Sequence, residues 1–320
     1  MRFGEYNIVT GNMIMSFPLC GWTCKGQGFN FTLFFNSKSV QDTTTGPGWS
    51  HTFSWHITGS NPKVVVSGDG TEIPFSVSSS GYTPPSCIHD SLADDTNGGW
   101  ILTRSDNSRY YFNASGLLTS ITANGNTTSC TYSAGLLTSV SDAVGRTLTL
   151  GYAGGKLATV TDYENRQWTI LTTANGVSSI AEPPLNGNTY TQSFGYTLGN
   201  LTSVTDKLGR VWSYAYDPDS FLTQMTDPDN KQWQLRAANS TYAPPSTEDS
   251  LEQEEVSYVW PYDVSAVGVL TNPGGSSVSF GCDSLGRVVA FRGETDDRAV
   301  FSYDASNNKI SQQNDTGVVW

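Results

Sequence analysis

The sequence predicts an all-β protein, a curled antiparallel sheet of stacked hairpins. Three observations carry that reading. Thr, Ser, Val, Tyr and Trp are abundant, and helix-forming runs of Ala, Leu, Glu and Lys are nearly absent. Gly contributes 32 of 320 residues, alongside frequent Asn and Asp, so turns are many. A motif of about twenty residues recurs through the middle of the chain.

The repeat is clearest from Gly199 to Asp217. Further copies start at Gly116, Gly135, Gly155 and Ser220, with a degenerate one at Gly176, so successive starts lie 19 to 23 residues apart. Each copy reads as strand, turn, strand, turn. The first strand is a Leu-Thr-Ser-Val-Thr stretch. The turn is Asp-x-x-Gly, as in Asp142 to Gly145 and Asp206 to Gly209. There Asp can bond the backbone two residues on, and Gly supplies a positive φ. Asn165 and Asn230 take the Gly place in two copies, as the next most tolerant residue. The second strand alternates. Arg210, Trp212, Tyr214 and Tyr216 share one face, and Val211, Ser213 and Ala215 the other. Trp168 and Ile170 pair in the same way, as do Leu148, Leu150 and Tyr152. That pattern describes a half-buried sheet. In the first strand Leu201 and Val204 stand three apart, which a regular strand cannot place on one face. Either a bulge or contacts on both faces would reconcile them.

The organisation divides into four stretches. Residues 1–110 form a β region ahead of the repeats, with a hairpin around Asp69-Gly70 and a strand pair at Trp100–Thr103 and Arg109–Phe112. Residues 111–239 hold the repeats. Residues 240–256 read as an exposed acidic insertion with Pro244-Pro245, and residues 257–320 as further degenerate β repeats around Asp283, Arg287 and Tyr303. The start lacks the apolar core of a signal peptide, and no apolar run reaches the ~18 residues needed to span a bilayer. The chain reads as the first part of something longer.

Charge excludes some functions. The net charge is −12, from 17 basic and 29 acidic residues, and no Lys/Arg cluster occurs. Nucleic-acid binding requires such clusters to neutralise phosphates, so no nucleic-acid partner is expected. Five cysteines make an odd set. Cys20 and Cys24 could bridge locally, and otherwise the cysteines read as small buried hydrophobes. Cys87 and His89 lack a second pair at zinc spacing, so no metal site is expected.

No catalytic residue or cofactor is expected either. Asp142, Asp162, Asp206 and Asp227 resemble a carboxylate series, but each sits at the same point of its repeat, beside the turn. Arg146, Arg166 and Arg210 follow the turns, where they can pair with carboxylates or stack on aromatics. No nucleophile elbow and no phosphate-binding loop is present. The aromatic row of Trp168, Trp212, Trp233, Tyr214 and Tyr216 reads as sheet core, or alternatively as a sugar-stacking platform. The expected role is a non-enzymatic structural module, with a carbohydrate-binding surface or adhesion module as the alternative.

These residues resemble the RHS/YD-repeat family, whose motif runs roughly G-x-L-x-x-V-x-D-x-x-G-R-x-x-x-Y-x-Y-D. The match is best at Gly199–Asp217 and clear at Gly135–Tyr152. The front is similar too: Thr10-Gly11-Asn12 resembles the TGN opening of RHS shells, Gly46-Pro47-Gly48-Trp49 their GPGW segment, and Val64 to Phe75 their hairpin. The resemblance implies a spiralling sheet that winds into a hollow cocoon, here incomplete. Such shells enclose a toxic C-terminal segment in bacterial toxins, and related shells serve in animal adhesion proteins. It also implies an extracellular or cell-surface location and an enclosed or C-terminal polypeptide partner. This chain departs from the pattern in lacking a toxin domain and the C-terminal self-cleaving region, and in being shorter than a closed shell. Unpaired edge strands predict self-association.

Overall fold

The computed structural model describes residues 5–7, 10–39, 42–85, 88–237, 264–293, 298–304 and 309–314. The acidic insertion, Cys87 and the chain's last residues lie outside them. The described residues are strands and turns throughout, without a helix. Twenty strands, from Ser91–Asp94 to Lys309–Asn314, follow one another in sequence order in one open antiparallel sheet. Two compact units are present. One comprises Ile14–Phe194 with Asp206–Leu208. The other comprises Glu5–Met13, Gly195–Thr205 and the described residues from Gly209 onward.

In the first unit the front strands Met13–Cys24 and Gln27–Asn36 form a long hairpin, extended by Trp49–His51. Alternation along Gln27–Asn36 buries Phe29, Phe31, Leu33 and Phe35. Trp49 is 1% exposed and packs against Phe17, Phe35 and Phe194, with ring centroids 5.3, 5.6 and 4.9 Å away. The apolar face of the repeats in this unit is therefore covered by the front hairpin as well as by neighbouring repeats. The hairpin expected around Asp69-Gly70 joins Lys63–Val66 to Glu72–Ser78. Its Val65 and Phe75 enter a second core with Trp55, Ile57, Leu92, Leu102, Phe112 and Leu118. The pair Trp100–Thr103 and Arg109–Phe112 forms as expected, with Trp100 opposite Phe112.

The three-residue spacing in the first repeat strand is resolved by a bulge. Between a second strand and the following first strand the register repeatedly skips one residue: Thr138 between Leu137 and Ser139, Ala158 between Leu157 and Thr159, Ser178 between Val177 and Ser179. In the second unit Thr223 is skipped between Leu222 and Gln224. The extra residue returns the next apolar side chain to the buried face. Leu157 and Val160, Val177 and Ile180, and Leu201 and Val204 are accordingly all buried. The bulged hydroxyl also has a task. Thr138 Oγ1 donates to the Thr131 carbonyl at 3.1 Å, Ser178 Oγ to Leu171 at 3.1 Å, Thr202 Oγ1 to Gly195 at 3.3 Å and Thr223 Oγ1 to Ala215 at 3.2 Å.

Candidate functional site

The residues with chemical potential lie at the turns, and their bonds are local. Asp142 Oδ1 accepts the N–H groups of Val144 and Arg146 at 3.0 and 2.9 Å, while its Oδ2 accepts Arg146 Nε at 2.8 Å. Asp162 repeats this set with Glu164 and Arg166, and Asp283 with Leu285 and Arg287. Asp217 and Asp227 bond the corresponding turn N–H groups, and Asn113 and Asn272 do so without a charge. Gly145, Asn165, Ser220 and Asn230 adopt the positive φ that the turn requires, at 86°, 63°, 61° and 63°.

Most of these carboxylates are buried, Asp162 being 3% exposed. Burial by itself raises the Asp142 carboxyl. Hydrogen bonds from the Trp22 indole, the Val144 amide and Arg146 outweigh it and hold the group well below the usual carboxylate range. It is therefore ionised at neutral pH and saturated with donors, which leaves it no free acceptor for acid–base work. The arginines pair as the sequence suggests. Arg146 and Arg287 bond their turn carboxylates and lie over Tyr163 and Tyr303, 5.1 and 4.9 Å from the ring centroids. Arg210 lies over Trp212 at 5.6 Å.

Three rings of the aromatic row face inward, while Trp233 and Tyr216 are half-buried. Trp168, Trp212 and Tyr214 are 6, 7 and 5% exposed, so their ring faces are not open for sugar stacking. Tyr152 is anchored by its hydroxyl, which donates to the Leu137 carbonyl at 2.8 Å. Tyr216 donates to Leu201 at 3.0 Å and Tyr303 to Val288 at 2.7 Å, each to a residue fifteen positions earlier. This is the physical role of the motif's tyrosine: it ties the second strand of a hairpin to the start of the first.

Cys20, Cys24, Cys130 and Cys282 are free thiols. Burial pushes Cys130 up to about 12 and, aided by Asp162 against Arg166, pushes Cys20 up to about 12. Both stay protonated and unreactive at neutral pH. Among the described residues no three His, Cys, Asp or Glu gather as a metal site.

Sequence reading missed the seam between front and repeats within the first unit. Trp22 stacks on Phe29 at 4.2 Å, and its Nε1 donates to Asp142 Oδ2 at 2.8 Å. Arg146 Nη2 donates to the Thr23 carbonyl at 2.7 Å. Further along, the Leu157 N–H donates to the Thr44 carbonyl at 2.8 Å, and Lys156 Nζ to the Thr43 carbonyl at 3.0 Å. Gly46 and Gly176 meet so closely that a Cβ on Gly46 would lie 3.0 Å from the Gly176 Cα. The odd spacing of glycines in the GPGW segment was the available signal, but it names no partner.

Hairpins of a twenty-residue motif, closed by Asx turns and in three copies tied by a tyrosine, define a repeat-built β fold. The RHS Repeat family matches residues 112–147 and 196–232, and a domain of unknown function, DUF6531, matches residues 7–75. Residues 112–147 and 196–232 of the chain therefore carry RHS repeats. No protein of curated function matches it in sequence. Among solved structures it is similar to TcdB2-TccC3-Cdc42, at 13% identity and TM-score 0.42, with 92% of this chain and 18% of that one covered. TcdB2-TccC3 without its hypervariable C-terminal region gives 12%, 0.42, 95% and 18%. The Photorhabdus luminescens Tc holotoxin pore gives 14%, 0.41, 90% and 16%. The chain thus spans less than a fifth of the length of these chains.

Proposed function

We propose that this chain is a structural shell module, a length of wall that encloses a space or presents a surface and performs no chemistry of its own. The observation that carries this reading is the use of the repeated turn carboxylates, arginines and tyrosines in holding the wall together. Turn carboxylates close hairpins, arginines neutralise them, and tyrosine hydroxyls tie strands. The reading extends to a polypeptide partner, either enclosed or C-terminal, and to an extracellular or cell-surface setting. Both extensions rest on the family. Electron microscopy of the protein within its natural full-length chain tests the proposal. A curved wall around a cavity is expected, and a solid globule would overturn it. The same preparation, digested with protease before and after denaturation, tests the enclosed partner: a shielded polypeptide is cut only after denaturation.

A further inference from the structure

In the second unit two second strands end without the tyrosine, at Ala237 and at Cys282. The fifteen-residue rule of Tyr152, Tyr216 and Tyr303 places the hydroxyl donor for the Leu222 carbonyl at position 237, which is Ala237, 1% exposed. The carbonyl is nevertheless served. Tyr6 donates to it at 3.3 Å, from 216 positions away. Gly11 lies against the same spot. A Cβ there would fall 2.4 Å from Phe221 Cδ1 and 3.1 Å from the Ala237 Cβ, and Gly11 has φ +66°. The turn that presents both residues closes on itself, with the Asn7 N–H donating to the Asn12 carbonyl and the Gly11 N–H to the Asn7 carbonyl, each at 2.8 Å. Asn7 Oδ1 also accepts the Thr10 N–H at 3.0 Å.

We propose that Phe221, Leu222 and Ala237 form a peptide-binding socket for a segment that carries a tyrosine five residues ahead of a glycine, and that Tyr6 and Gly11 of this same chain fill it. The small side chain at 237 opens the socket, the Leu222 carbonyl reads the phenol, and the Phe221 ring admits only glycine at the second position. A front glycine also approaches a repeat without its tyrosine in the first unit. There the fifteen-residue step from Leu157 lands on Thr172, and the front again arrives, with the Gly46 Cβ position 3.0 Å from Thr172 Cγ2.

Hydrogen exchange of the full chain tests the socket. In Ala237→Tyr the repeat's own tyrosine takes the carbonyl, so residues 5–13 should exchange about tenfold faster or more while strand Leu222–Thr226 keeps its protection. Ala237→Ser, which leaves the socket open, should match the parent. Gly11→Val provides a second route should the tyrosine not be accommodated: its clash with Phe221 should release residues 5–13 alone. Unchanged protection of residues 5–13 in Gly11→Val, or in a folded Ala237→Tyr, would overturn the proposal. Protection that rises with protein concentration would assign the occupant to a second copy and overturn the assignment to this chain's own segment.

Discussion

At the scale of single residues, the turn aspartates contribute through ionisation. Asp142 is held in its charged form by Trp22, Val144 and Arg146. Because its folded carboxyl titrates well below the unfolded value, the unfolded chain binds the proton first. The stability Asp142 contributes is fully present above about pH 4 and is lost as pH falls from there toward the depressed folded value. Asp142→Asn keeps an acceptor for the turn amides but turns an N–H₂ toward two other donors. It should cost about 1–3 kcal/mol and flatten the acid limb of a denaturation profile. His51 works in the same direction at higher pH. Burial holds its imidazole down to about 4, with Nδ1 accepting the Phe53 N–H and the ring stacked on Phe31. The unfolded histidine gains its proton near pH 6.5, so stability falls as pH drops from there toward 4. A His51→Gln protein should lose that slope in a pH series of thermal melts, and an unchanged slope would exclude His51 as its source.

At the scale of the element, the bulge decides the face of the first strand. Its hydroxyl bond is present at Thr119, Thr138, Ser178, Thr202 and Thr223 and missing at Ala158, which stands at the same skipped position. Ala158→Thr should donate to the Gly151 carbonyl and stabilise by about 0.5–1 kcal/mol, and Thr138→Ala should lose a similar amount. Chemical denaturation of the pair checks both signs. Much of this element was legible in sequence. The strand alternation, the Asx turn and the interchange of Gly145 with Asn165 follow from period two and from backbone sterics. The choice between a bulge and a two-faced strand was not legible, because Leu201 and Val204 satisfy either arrangement. Nor was the role of Tyr216, since a tyrosine in an aromatic row looks like packing until its hydroxyl is seen to reach Leu201.

At the scale of the whole molecule, long-range partners are what the sequence conceals. Phe17, Trp49 and Phe194 are obvious core residues, but nothing in their spacing tells that the three rings meet. Trp49→Ala should therefore cost about 3–5 kcal/mol in denaturant titration, because it empties a site shared by the front and the repeats. The sheet edges bear on assembly. Among the described residues Ser91–Asp94 ladders on one side only, to Trp100–Thr103. Self-association through such edges is expected. With a net charge of −12 it should strengthen as salt screens repulsion. Sedimentation that stays monomeric at high concentration and high salt would contradict it.

A nearly periodic wall poses a problem of address. One hairpin resembles the next, so a covering segment shifted by a single repeat would meet almost the same apolar surface. Thr172 and Ala237 break that degeneracy. Each is a missing letter in an otherwise repeated word, and at each a glycine of the front comes close, Gly46 at one and Gly11 at the other. At these two positions loss of the tyrosine is thus not mere decay of the motif. It is a coordinate written into the sheet, which tells the front of the chain where to stop.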